Sequence, residues 1–132
     1  MKESLIVVAV IVVAAVVAFA SLRQPPANHE PNDDDVIEQL RLAGSDLSKP
    51  HPLDFYIYIP SKEAAERIAS ELSNQSFQVQ VRPAASGSGW LALASKEVVP
   101  TSSSLAKLRH DLTLLAKREQ GDYDGWEAAI VK

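Results

Sequence analysis

The sequence predicts an α+β domain in two layers, helices on one face of an antiparallel sheet, behind an N-terminal apolar helix. Three observations lead to that expectation. From residue 53 onward, alternating segments and segments that repeat apolar residues at three and four follow one another as strand, helix, strand, strand, helix, strand. Proline, serine and glycine punctuate the joins between them. Ahead of all this, residues 5–20 form an unbroken run of Val, Ala, Ile, Leu and Phe.

That run sets the domain organisation. Extended by Ser21 and Leu22, it makes a helix about 27 Å long, enough to cover the hydrocarbon core of a bilayer. A helix satisfies its own backbone, so its β-branched residues are no obstacle in lipid. Residues 1–22 therefore read as a retained transmembrane helix of a single-pass membrane protein. Ala18-Phe19-Ala20 fits a small-x-small cleavage site and keeps a signal peptide as the alternative, although the apolar core meets that site without a polar spacer. Lys2 flanks one end and Arg23 the other, so charge leaves the orientation open between a cytoplasmic domain and a periplasmic or exported one.

Residues 23–32 hold Pro25, Pro26 and Pro31 with no apolar pattern and form an extended linker. Residues 33–132 then make one domain of about 100 residues, a usual size for a single core. Asp33 is the expected N-cap of a first helix, with Asp34 and Asp35 at the positive end of its dipole. Val36, Ile37, Leu40 and Ala43 recur at helical spacing up to a stop at Gly44.

In residues 53–59, Phe55, Ile57 and Ile59 alternate with Asp54, Tyr56 and Tyr58, as a half-buried strand requires. Pro60 and Ser61 open a helix over residues 62–72, with Ala65, Ile68, Ala69 and Leu72 as its inner stripe. Phe77, Val79 and Val81 alternate with Gln78, Gln80 and Arg82 in a second strand. Ser86-Gly87-Ser88-Gly89 makes the hairpin loop, and Trp90–Val98 the third strand with Leu91 and Leu93 inward. Pro100 breaks that strand, and Thr101 to Ser104 offer N-caps for a helix with a seam of Leu105, Leu108, Leu112 and Leu115. Gly121 is the expected left-handed residue after that helix, and residues 123–131 the fourth strand. The order β-α-β-β-α-β is that of a ferredoxin-like, split βαβ sandwich.

Charge and composition exclude several function classes. The net charge is −4, with the acidity concentrated in residues 30–46, ahead of the first strand: from residue 51 onward ten acids stand against nine bases. A nucleic-acid binder shows a basic face instead, so no direct contact with nucleic acid is expected. There are no cysteines, hence neither disulfides nor thiolate metal sites. His29, His51 and His110 have no partner at metal-ligand spacing, and His110 beside Asp111 reads as a solvated helix position. Gly87-Ser88-Gly89 lies in a hairpin and lacks the strand-to-helix setting of a nucleophile elbow. The acidic run at Asp33 lacks the ligand spacing of a calcium loop. The chain is therefore expected to be no enzyme and to need neither metal nor cofactor.

Two aromatic sets stand out as partner-binding candidates. Tyr56 and Tyr58 share the sheet face opposite the helices, where Trp90 is expected to join them; uncovered aromatics on such a face suggest a contact surface. The alternative is that the tyrosines support sheet packing under the N-terminal helix. The second set is the ending Gly121-Asp122-Tyr123-Asp124-Gly125-Trp126-Glu127. Within it Asp122, Tyr123, Asp124, Trp126 and Glu127 are candidates, with burial of Trp126 as the competing reading.

That ending resembles the Gly-x-Tyr-Asp-Gly-Trp ending of the RraB family, regulators of ribonuclease E activity. The resemblance extends to Asp46-Leu47-Ser48-Lys49-Pro50, to Asp54-Phe55-Tyr56-Ile57-Tyr58-Ile59-Pro60 and to Gly89-Trp90. It implies a ferredoxin-like domain that binds ribonuclease E as a protein inhibitor and alters RNA turnover without cutting RNA. It also favours a domain on the cytoplasmic side, although typical members are soluble and this chain carries an apparent span at residues 5–22. A span, a proline-bearing linker and a βαββαβ domain also resemble SPOR-type peptidoglycan-binding proteins of the envelope. That alternative fits Phe55-Tyr56-Ile57-Tyr58-Ile59 and Ala64-Ala65-Glu66-Arg67-Ile68-Ala69, but not the ending. Oligomeric state is not legible.

Overall fold

A computed structural model describes residues 32–85 and 87–132. Among these residues three helices, α1 (Asp33–Leu42), α2 (Lys62–Ser73) and α3 (Ser102–Arg118), accompany four strands, β1 (His51–Ile59), β2 (Gln78–Pro83), β3 (Trp90–Val98) and β4 (Asp122–Ala128). The strands form one antiparallel sheet in the order β2-β3-β1-β4, the split βαβ topology. Residues 1–31, with the linker and the apolar run, lie outside the described residues. Among those described, no helix is long and apolar enough to cross a membrane.

The core lies between the sheet and the helices. Strand β1 contributes Leu53, Phe55, Ile57 and Ile59, helix α2 contributes Ala65, Ile68 and Leu72, and helix α3 contributes Leu105, Leu112 and Leu115, all buried. Removing the leucine, isoleucine and phenylalanine side chains among these from water stabilises the fold by about 1.5–3 kcal/mol each. Helix α1 is docked beside α3 through Asp34 and Ser102 and through Asp33 and Arg109. It therefore sits on the helical side and does not cover Tyr56 and Tyr58, as the packing alternative had required.

Local chemistry starts each helix. Asn32, not Asp33, is the N-cap of α1: its side chain accepts from the Asp35 amide while the Asp35 carboxylate accepts from the Asn32 amide. Asp33 is freed to turn inward and is almost fully buried. Ser61 caps α2, and Thr101 with Ser104 closes a capping box on α3. All three helices end in Schellman turns, with Ser45 bonded to Leu40, Phe77 to Leu72 and Gly121 to Ala116.

The left-handed residue after α3 is Gln120, at φ 65°, rather than Gly121. Gly121 is required for a different reason. Its backbone passes so close to β1 that a Cβ would collide with the Tyr58 carbonyl and the Ile59 side chain.

The expected phase of β3 is reversed. Ile59 pairs with Trp90, Ile57 with Ala92 and Phe55 with Ala94, so Trp90, Ala92 and Ala94 face the helices. Leu91 and Leu93 stand on the other face, opposite Tyr58 and Tyr56. Small alanines under the large Phe55 and Ile57 leave room for the helices, which leucines would overfill. Strand β4 also ends earlier than expected. Beyond it, Val131 is tied to the loop before β1, where its amide donates to Ser45 Oγ at 2.9 Å. Buried His51 lies 2.6 Å from that same oxygen.

Candidate functional site

The alternation of β1 that buries Phe55 and Ile57 sends Asp54, Tyr56 and Tyr58 to the sheet face away from the helices. Cross-strand register arranges that face in three rows. One row is Gln78, Ser95, Asp54 and Glu127; the next is Gln80, Leu93, Tyr56 and Gly125; the third is Arg82, Leu91, Tyr58 and Asp122. Its centre is apolar and aromatic. Leu91 is buried although it lies outside the core cluster, and Leu93, Tyr56 and Tyr58 are half-buried.

Carboxylates border this centre. Asp54 accepts from Ser95 Oγ at 2.6 Å, and Glu127 accepts from the Tyr56 hydroxyl at 3.0 Å. Asp54 and Glu127 are direct cross-strand neighbours, a like-charge pairing that costs stability. Burial pushes the Glu127 carboxyl above the ordinary glutamate range, the Tyr56 hydrogen bond opposes that shift, and the Asp54 charge adds to it. Burial, then the Glu127 charge, raises the Tyr56 phenol well above its usual range. Tyr58 is raised as well, by burial first and then by the Asp124 charge, with Arg82 opposing.

The C-terminal motif divides between the two faces because of a β-bulge. Tyr56 pairs with Gly125 and Ile57 with Tyr123, which leaves Asp124 as the extra residue. Gly125 takes φ 116° there, a conformation that side chains resist. Without the bulge, Tyr123 and Trp126 would point to opposite faces, being three residues apart. With it, both turn toward the helices. The Tyr123 ring lies 6.5 Å from that of Phe55, and Trp126 is buried with its Nε1 donating to Asp33 Oδ1 at 3.1 Å.

The structure thus brings Tyr56, Tyr58, Asp122 and Glu127 together on the open face and takes Trp90, Tyr123 and Trp126 away from it. Trp90 is a correction forced by parity: β3 runs without a bulge, so the partner of inward-facing Ile59 is inward too. The Lys62 ammonium stands 5.8 Å from its ring centroid, a cation–π contact with the start of α2. Leu91, Leu93, Asp54 and Ser95 complete the face and were absent from the sequence-derived set. Asp54 was legible there through its alternation with Tyr56 and Tyr58. Among the described residues, no group of histidines and carboxylates could hold a metal ion.

The comparison that decides the family is with family models: that of RraB, regulator of ribonuclease activity B, matches residues 30–128. The chain belongs to the RraB family. The match runs from the start of α1 through the motif ending, so it takes in both halves of the fold and the bulge that closes it. It includes the second half, which the peptidoglycan-binding resemblance does not fit. A search of curated proteins finds no match. Within the RraB domain, the bulge motif shapes the interior, while the open face presents the tyrosines and carboxylates outward.

Proposed function

We propose that this protein is a non-catalytic regulator that inhibits ribonuclease E, or a ribonuclease of its kind, by binding it through the open sheet face. RNA turnover is lowered without any cut or contact made to RNA by this chain. Membership of the RraB family carries the reading. The face supports it: half-buried aromatics ringed by polar groups are the composition of a protein-binding patch, and three carboxylates, Asp54, Asp122 and Glu127, against Arg82 disfavour phosphate. Residues 5–22 hold the chain in a membrane as a single span, and the domain lies on the cytoplasmic side, where such a nuclease acts.

The test is a cleavage assay with purified ribonuclease E, a short labelled RNA and the full chain in an uncharged detergent. Inhibition at near-stoichiometric chain that is lost in Tyr56→Ala/Tyr58→Ala is the expected result. No inhibition at a large excess would overturn the reading. Reporter enzymes fused after Lys132 check the placement; a periplasmic C-terminus would remove this nuclease as the partner.

A further inference from the structure

Counter-charge is unevenly distributed over this domain. Ion pairs serve the helices, Asp33 with Arg109, Glu71 and Glu119 with Arg118, Glu119 with Arg67, and the loop before β1, Asp46 with Lys49. On the open face, Asp54 and Glu127 are held by the neutral hydroxyls of Ser95 and Tyr56 and take part in none of those pairs. They sit side by side with like charge, both of them partly buried, around an apolar centre. Hydroxyl donors fix the position of a carboxylate without neutralising it. Asp122 borders the far side of the same centre beside Tyr58, while Arg82 stands on this face at the opposite, β2 edge, so the acidic side is that of β1 and β4.

We propose that the open face takes a basic polypeptide segment of the partner, with two guanidinium or ammonium groups flanking an apolar side chain. One cation sits between Asp54 and Glu127, the other at Asp122, and the apolar side chain rests on Tyr56, Tyr58, Leu91 and Leu93. The carboxylate sites are separated by the four-residue step from Asp54 to Tyr58, about 13 Å along the strand. An extended segment with basic residues at i and i+4 and an apolar one at i+2 matches that spacing. This rests on the open face being the contact surface, and names the chemistry it selects.

Titration of the full chain in uncharged detergent tests it, with a fluorescent peptide carrying Arg-Ser-Leu-Ser-Arg between Gly-Ser flanks and a counterpart carrying Glu for Arg. Binding of the basic peptide alone, weakened at least tenfold by 0.5 M salt and tenfold by Asp54→Asn/Glu127→Gln with no fall in melting temperature, is expected. No binding at millimolar basic peptide overturns the inference, as does equal binding of the acidic peptide or indifference to the double variant. Binding of an RNA oligonucleotide at this face overturns it too. The nuclease assay separates the two levels. Inhibition that survives Asp54→Asn/Glu127→Gln but fails in Tyr56→Ala/Tyr58→Ala keeps the surface and overturns the cation chemistry; inhibition that survives both overturns the surface itself.

Discussion

Trp126 and Asp33 lie 93 positions apart and meet at 3.1 Å, the indole N–H donating to a carboxylate that also pairs with Arg109. The last strand is thereby fastened to the first turn of α1, ahead of the βαββαβ core. Asp33→Ala leaves the buried indole donor without its acceptor and releases Arg109. Such a loss costs about 2 kcal/mol, to be read as a lower urea midpoint at unchanged slope. An Asp33→Ala/Trp126→Phe cycle should show coupling; strictly additive effects would mean the contact does not hold α1.

Two roles of glycine, close approach before β4 and positive φ in the β2–β3 hairpin, predict different sensitivities. Gly121→Ala drives a methyl into the backbone of β1 and should destabilise by about 3 kcal/mol, the upper range for overpacking. Gly87→Ala meets open space and carries only the backbone cost of φ 78°, about 1 kcal/mol. Thermal melts of the two variants would rank them, and equal losses would show that Gly121 can move.

Most of this architecture was legible because one face of each element is apolar and the other polar. The alternation in β1 and the leucine seam of α3 leave one orientation each. Strand β3 was misread because Leu91-Ala92-Leu93-Ala94 is apolar on both faces. Its phase is set by which side must lie close under the helices, a volume constraint that comes from other strands. Trp90 was misplaced by the same error. A run of three aspartates hides which one turns inward, so the pattern alone points to Asp33 as the cap where the neighbouring Asn32 supplies it. The Asp124-Gly125 pair signalled a tight local geometry, but only register shows that it carries both Tyr123 and Trp126 to one face.

Two helix ends retain room for stabilisation. Ser76 and Gln120 hold the left-handed conformation at φ 72° and 65°, where glycine has no Cβ penalty. Ser76→Gly and Gln120→Gly should each raise stability by about 0.5–1 kcal/mol, and their sum should be near additive since they close different helices. A fall in melting temperature for either would mean that its side chain makes a contact worth more than the backbone strain.

Glu127 links stability to the proposed binding in opposite senses. Its carboxyl is raised in the folded state, chiefly by burial. The native protein therefore holds that proton more tightly than the unfolded chain does. The contribution to stability is fully present below the ordinary glutamate range and is lost as pH rises through the raised folded value. Glu127→Gln removes that loss, so its melting temperature at neutral pH should equal or exceed that of the parent, and its melting curve should depend less on pH across the window above the glutamate range. The same change takes a negative charge from the proposed contact face, so inhibition of the nuclease should weaken about tenfold, the loss of one charge-assisted contact of about 1.4 kcal/mol. Melts across that pH window beside the cleavage assay measure both arms. A variant less stable at neutral pH and unimpaired in inhibition would make Glu127 a structural residue, with its hydrogen bond to Tyr56 as its purpose.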